Sequence, residues 1–534
     1  YRLALTPSGP GEQSLQGEHL VARTSGDGPA AFTHEGDLVV ASVAPWRQVY
    51  RRNDQFRIPV GKRATTGTER HRKRLTHGLR AKGPTISPDG RQIAFSVNHQ
   101  GTTTLQIARL SKEGISQRRT LAAGARFDQA YSPTFSPDGR HLAATLGGGK
   151  GMRVWETGTW REVTRDTAYG PNSSYGLTFD GKGRLWTVSY DGKLRRYLPL
   201  ANKAGFKLPP RAIKLKGGSE PFGVAANPIV GSNAIAVGYS DNTNVEIYDA
   251  ETMQRRFAAD TASAKNGSLH AVGWSADGKR LFAGGQYDVG GLNPVRNWPQ
   301  AGRGAPTDIK LTGTTVMQLL PCGDAMAFGA ADPAFGLFLP DGTRRFWQDR
   351  VTPDHRAYPT FIAKTLMVSE RGERVRFQLF DIRKDAVLFD VDRLRLTSEA
   401  AKASGLFEPE TASLPVKNWL NTRRPTLNGK SIELKKHEFS RSLAIAPGGE
   451  RFVIGGDYRL RAFGADGRPL WQEGRQIPGN AWGVNIPKDG RTIVASYGDG
   501  TIRWHRLSDG QELLALFVHA RDKRWVLWTP TGYY

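Results

Sequence analysis

Cysteine is nearly absent from this chain: Cys322 stands alone among 534 residues. That excludes an internal disulfide and any thiolate metal site, and it makes a reducing compartment, the cytoplasm, the expectation. Nowhere does an apolar run approach the roughly 18 to 20 residues a membrane helix needs. No charged start followed by an apolar stretch marks a signal peptide, although the chain opens on Tyr1 rather than Met, which is compatible with an earlier processing step. Long helical periodicities are scarce, which argues against doubly wound and ferredoxin-like folds. Acidic residues are in deficit: 50 Asp and Glu face 75 Lys and Arg, a formal net charge of +25. A surface of that sign favours acidic partners, whether nucleic acid, anionic lipid or acidic protein.

The chain does contain 62 Gly, 31 Pro, 13 Trp and 23 Phe, a mixture suited to many short strands and turns around an aromatic core. Its length exceeds what one core supports, so two domains are expected. One pattern recurs: an apolar strand, a tight turn with Asp-Gly or its equivalent, a strand of small and β-branched residues, and a third strand with an aromatic. The clearest copies lie at 83–110, 132–160, 175–198, 221–253, 269–288, 441–467 and 481–510, with weaker ones at 31–59, 315–347 and 359–391. Turn glycines at 90, 139 and 181, and at 449 and 490, recur at the period of a four-stranded propeller blade. Asp-Gly supplies the positive φ of a tight hairpin, and small second-strand residues such as Ala143-Ala144-Thr145 suit the crowded inner wall.

About ten such units exceed the four to eight blades in which propellers close. The expectation is therefore an all-β fold of two consecutive WD40-like β-propellers: a first, seven-bladed ring over 1–310 and a second, irregular one over 311–534. Residues 392–438 interrupt the second with a basic excursion that could hold a short helix, and 60–80 form a basic insertion expected as an exposed loop.

Units such as FSPDGRHLAATLGGGKGMRVWETGTW and DGTIRWHRLSDGQELLAL resemble WD40 repeats over most of the chain. The Trp-Asp dipeptide survives only in forms such as Trp155-Glu156, Tyr248-Asp249, Phe380-Asp381 and Trp504-His505, and the Gly-His pair is missing, which leaves room for a related propeller such as the TolB-like type, where SPDG turns also recur. The final stretch RDKRWVLWTPTGYY is similar to a tail of bacterial proteins that join WD40 propellers to a caspase-like peptidase or comparable effector domain. That resemblance implies a regulatory scaffold or sensor of a larger proteolytic or defence system, and a chain that continues past Tyr534.

Catalytic motifs fail one by one. Gly238-Tyr-Ser240 begins a nucleophile elbow that Asn242 ends. Asn428 to Ser431 imitates a P-loop whose first glycine falls on Arg424. His34-Glu35 and His437-Glu438 lack the second His of a zinc protease. His77-Gly78 with Cys322 echoes a caspase-like pair, but an interior blade cysteine is the simpler account. Asp241 and Asp249 suit turn roles. No catalytic residue, metal site or cofactor is expected. The candidate binding residues are Arg70, Arg72, Lys73, Arg74 and Arg80 in one basic run, and Arg423, Arg424, Lys435 and Lys436 in another, against the alternative that both are merely solvated. Trp298 joins them as an aromatic in a long connection, against the alternative that it packs over a neighbouring blade. The leading expectation is a non-catalytic scaffold for a protein partner, with a peptidase or other effector as the candidate, and the runner-up is a nucleic-acid-binding propeller.

Overall fold

The computed structural model describes residues 31–32, 38–41, 55–58, 73–76, 81–99, 102–121, 130–147, 149–170, 174–229, 231–331, 334–348, 353, 355, 366–379, 386–398, 404–435, 438–457, 459–477 and 480–532. The fold is all-β, with ten antiparallel sheets of four strands or more and one smaller sheet of three among the described residues. Strand order follows the chain inside every sheet, the mark of propeller blades. Among the described residues no helix is long and apolar enough to cross a membrane.

The chain divides into two compact units, one formed by Ser25–Pro45 and Asn53–Asp349 and the other chiefly by Arg350–Tyr534. The first unit holds seven blades, numbered here in chain order: 31–74, 81–120, 130–166, 174–214, 221–258, 271–312 and 316–348. The sheet at 316–348 thus belongs to the first unit, beyond the 310/311 division read from the sequence. From blade 2 to blade 7 the first strand of each blade packs on the first strand of the next, so these strands line the channel. Among the described residues the second strands of blades 3 to 7 are almost wholly buried, as in Ala234–Tyr239 and Leu185–Ser189, because neighbouring blades cover both faces. Each fully buried Leu, Val or Phe there contributes roughly 1.5 to 3 kcal/mol.

The second unit carries blade 8 (367–397), the three-stranded sheet (416–431), blade 9 (440–476) and five-stranded blade 10 (481–528). Blade 10 packs back on blade 8: Asn485 Nδ2 donates to the Leu366 and Phe407 carbonyls at 2.9 and 3.0 Å, and Trp504 Nε1 to the Gly372 carbonyl at 2.7 Å. Last blade thus meets first, as a propeller requires. The tail segment Trp525–Trp528 is the fifth strand of blade 10, and its Trp525 ring meets Phe389 of blade 8 edge-on at 4.8 Å. The Trp-rich tail is therefore core material that covers an outer strand edge.

Several expectations change. The third turn glycine is Gly183 rather than Gly181, since Gly183 N–H closes the turn on Asp180 O and takes φ +72°. Lys73–Arg74 form the outer strand of blade 1, with Leu75 and Thr76 buried behind them, so 60–80 is not simply a loop. The excursion at 392–438 yields a strand at Arg395–Thr397 and no helix among the described residues. Its small sheet docks on blade 9 through Val416, Leu427 and Ile432. Asn428-Gly429, both with positive φ, make the two-residue hairpin turn that had imitated a P-loop.

In place of the missing Gly-His and Trp-Asp pairs, several third strands bury an Arg two residues before an aromatic or His. Arg195 pairs with Asp191 and lies 4.0 Å from the Tyr169 ring. Arg296 holds Asp308 at 2.8 Å through both oxygens, and Arg503 meets Asp499 at 3.1 Å and Glu512 at 2.8 Å. Arg153 near Glu162 and Arg461 on Glu438 repeat the theme at 3.5 and 2.7 Å. Buried pairs of this kind add little net stability but penalise any arrangement that separates them.

Candidate functional site

The inner strands of blades 3 to 6 start at one end of the channel, and all put a ring at the same place. Tyr131, Tyr175, Phe222 and His270 occupy equivalent positions at or just before the start of these strands. Their rings touch in sequence: Tyr131 to Tyr175 at 4.7 Å, Tyr175 stacked on Phe222 at 4.8 Å, and Phe222 edge-to-face with His270 at 4.9 Å. Tyr190, from the turn between the second and third strands of blade 4, joins Tyr175 at 4.7 Å. Tyr131, Tyr175, Tyr190 and Phe222 stay partly open to solvent.

Local chemistry explains the row. Pairing shifts register around Ser174 to Leu177 and Pro221 to Gly223, and such bulges re-aim a side chain. A small residue follows each ring because the next blade approaches there: a Cβ on Gly176 would meet the Phe222 carbonyl oxygen at 2.5 Å, and one on Gly223 the His270 oxygen at 2.1 Å.

Polar groups rim the row. Tyr190 OH and Ser240 Oγ are 2.8 Å apart, and Ser240 Oγ donates to Glu220 Oε2 at 2.9 Å. Asp241 accepts from Ser219 N and Oγ at 2.8 and 2.7 Å. Burial above all, with Tyr175, Glu220 and Asp241 nearby, pushes the Tyr190 hydroxyl up to about 12. Burial pushes His270 down to about 4, so its ring is neutral. Its Nδ1 lies 3.0 Å from Ser268 Oγ, while Nε2 is buried without a hydrogen-bond partner among the described residues. At the same end, the blade 6 hairpin exposes Val289 and Leu292.

No protein-family model and no curated protein matches this chain. Its chemistry has to be read from its own geometry.

The sequence-derived candidates are dispersed. Arg70, Arg72, Arg80 and Lys436 lie outside the described residues, as does His77, and of Lys73 and Arg74 only the strand is described. Arg423 and Arg424 are exposed beside the small sheet, Arg423 lying 4.6 Å over the Phe439 ring. Lys435 is exposed and paired with Glu473 at 3.2 Å. Trp298 is corrected outright: it is fully buried in the third strand of blade 6 and donates Nε1–H to the Asp260 carbonyl at 2.9 Å, so it cannot meet a partner. Cys322 is half-buried and its thiol is pushed up by that burial, the opposite of an activated nucleophile. Asp249 organises its turn through Glu251 N and Thr252 N at 2.9 and 2.8 Å.

The aromatic row escaped sequence reasoning although a signal exists. Tyr131, Tyr175, His270 and Trp482 each stand eight residues before a turn glycine, at 139, 183, 278 and 490, and each precedes a small residue. Lys82 and Arg441 hold the same position before Gly90 and Gly449.

Proposed function

We propose that this protein is a non-catalytic propeller scaffold that holds a protein partner at the channel mouth of its first unit. The carrying observation is the row of half-exposed rings from Tyr131 to Phe222, since contiguous exposed aromatics are unusual on a surface unless something covers them. Val289 and Leu292 are also exposed at this end of blade 6. The resemblance of the tail to effector-linked propellers makes a peptidase or comparable effector the expected partner class. Chemical cross-linking of the intact protein in extracts of its source should join partner peptides to Lys214 and Lys216 beside the mouth, and Phe222→Ala should abolish those links. Turnover of a peptide, ester or glycan by purified protein, lost on one substitution, would overturn the proposal.

A second reading keeps nucleic acid. Lys417, Arg423, Arg424 and Lys430 are all exposed around the small sheet. Filter binding across a salt series separates the two, because phosphate-driven affinity is strongest at low salt. Failure to retain RNA or DNA at about 50 mM salt rejects this alternative.

A further inference from the structure

The second unit repeats the mouth position with different residues and so shows what such a site can hold. There the equivalents of Tyr175 and Phe222 are Arg441 and Trp482. The Arg441 guanidinium lies 5.4 Å from the Trp482 ring and 5.1 Å from Phe439. Asp457 receives it, with Nε to Oδ1 at 2.5 Å. A cation, two rings and a carboxylate complete one another within the chain.

Among the described residues, the first unit has the rings and the carboxylates without a cation paired to them. Glu220 reaches Tyr190 through Ser240, Asp241 accepts from Ser219, and neither has an ion-pair partner among the described residues. That is notable where 75 basic residues compete for 50 acidic ones. Two cations of blade 4 are engaged elsewhere: Arg195 is buried against Asp191, and Lys214 Nζ donates to the Asp191 carbonyl at 2.9 Å. Only Lys216 stands exposed in the adjoining loop. Neutral His270 closes the row without adding positive charge.

We propose that the mouth of the first unit binds a lysine or arginine side chain of the partner, over the Tyr175, Tyr190 and Phe222 rings and against Glu220 and Asp241. This rests on the scaffold reading above and names what that surface selects. Ring faces attract cations through their quadrupole, and adjacent carboxylates supply the countercharge. The same carboxylates repel phosphate, so nucleic acid is disfavoured at this mouth. Because the chain as a whole is +25, it repels cationic peptides, and any affinity for them must be local.

The test is calorimetry on the full chain at about 0.15 M salt, where long-range repulsion is screened. The probes are a capped peptide of alternating glycine and lysine, its arginine counterpart, and its glutamine counterpart. The lysine or arginine peptide should bind at least about tenfold more tightly than the glutamine one, the scale of a charged hydrogen bond. Glu220→Gln with Asp241→Asn should erase that preference, Tyr175→Phe should retain it, and Glu473→Gln in the second unit should leave it unchanged. Equal binding of the lysine and glutamine peptides, weakened for both by Phe222→Ala, overturns the choice of a cation and leaves the scaffold reading standing. Absence of binding by both cationic peptides overturns the proposal. If a neutral oligosaccharide binds in their place, the scaffold reading falls with it.

Discussion

The two units use one position in the blade for opposite ends. In the second, Arg441 is half-buried against the Trp482 and Phe439 rings and paired with Asp457, so that position is filled by the chain's own charge. In the first, Tyr175 and Phe222 are half-exposed, and Glu220 and Asp241 lack an ion-pair partner among the described residues. The difference is one of completeness. A self-satisfied site stabilises its own unit, whereas an unsatisfied one is available to something outside.

The sharpest way to break the comparison is Arg441→Ala. Asp457 is almost wholly buried, and burial already lifts its carboxyl above the usual range with Arg441 beside it. Removing the cation should cost about 3 to 5 kcal/mol, the penalty of a buried charge left alone. Urea unfolding should show the loss, and an unchanged midpoint would mean the pair is not structural.

Acid should strain both units in one window. Burial pushes His270 in the first and His505 in the second to about 4, against an ordinary 6.5. As pH falls below 6.5 the unfolded chain takes up protons that the native imidazoles refuse. Stability is full above pH 6.5 and is lost as pH falls toward 4, on the order of 3 kcal/mol for each histidine. Thermal midpoints measured across that range should fall, and His505→Gln should flatten part of the decline.

Glycine substitutions should separate the units more finely. A Cβ at Gly223 meets the His270 backbone oxygen at 2.1 Å, whereas at Gly483, its equivalent, the nearest atom is Ser496 Oγ at 2.8 Å. Gly223→Ala should cost about 1 to 3 kcal/mol and Gly483→Ala less, because a hydroxyl can turn away and a backbone cannot. The smallest effect is expected at Glu220→Gln: a change of stability within about 0.5 kcal/mol, typical of a surface site, with the binding preference erased once Asp241→Asn is added.

Every repeat unit visible in the sequence became a blade, because hairpin turns and alternating small and large residues are local signals. The turn at 180–184 shows how local: Asp180-Gly181 invited the wrong glycine, and only the hydrogen bond of Gly183 to Asp180 decides the register. Trp298 misled for the opposite reason, since its neighbours in sequence read as a connection while its neighbours in space are the core. The basic runs at 60–80 and 392–438 drew attention by density of charge, which measures solvation as readily as binding. The aromatic row was harder to see because its members lie about 40 to 50 residues apart, one blade period each.

By itself the sequence determined the blades: their number, their turns and the all-β character, since each depends on residues close along the chain. Only the tertiary structure decided which blades join into which unit, how the last blade meets blade 8, and that Tyr131, Tyr175 and Phe222 share one surface. Those outcomes depend on side chains from different blades meeting across the channel wall, and that proximity is created by packing rather than by any neighbouring pair of residues.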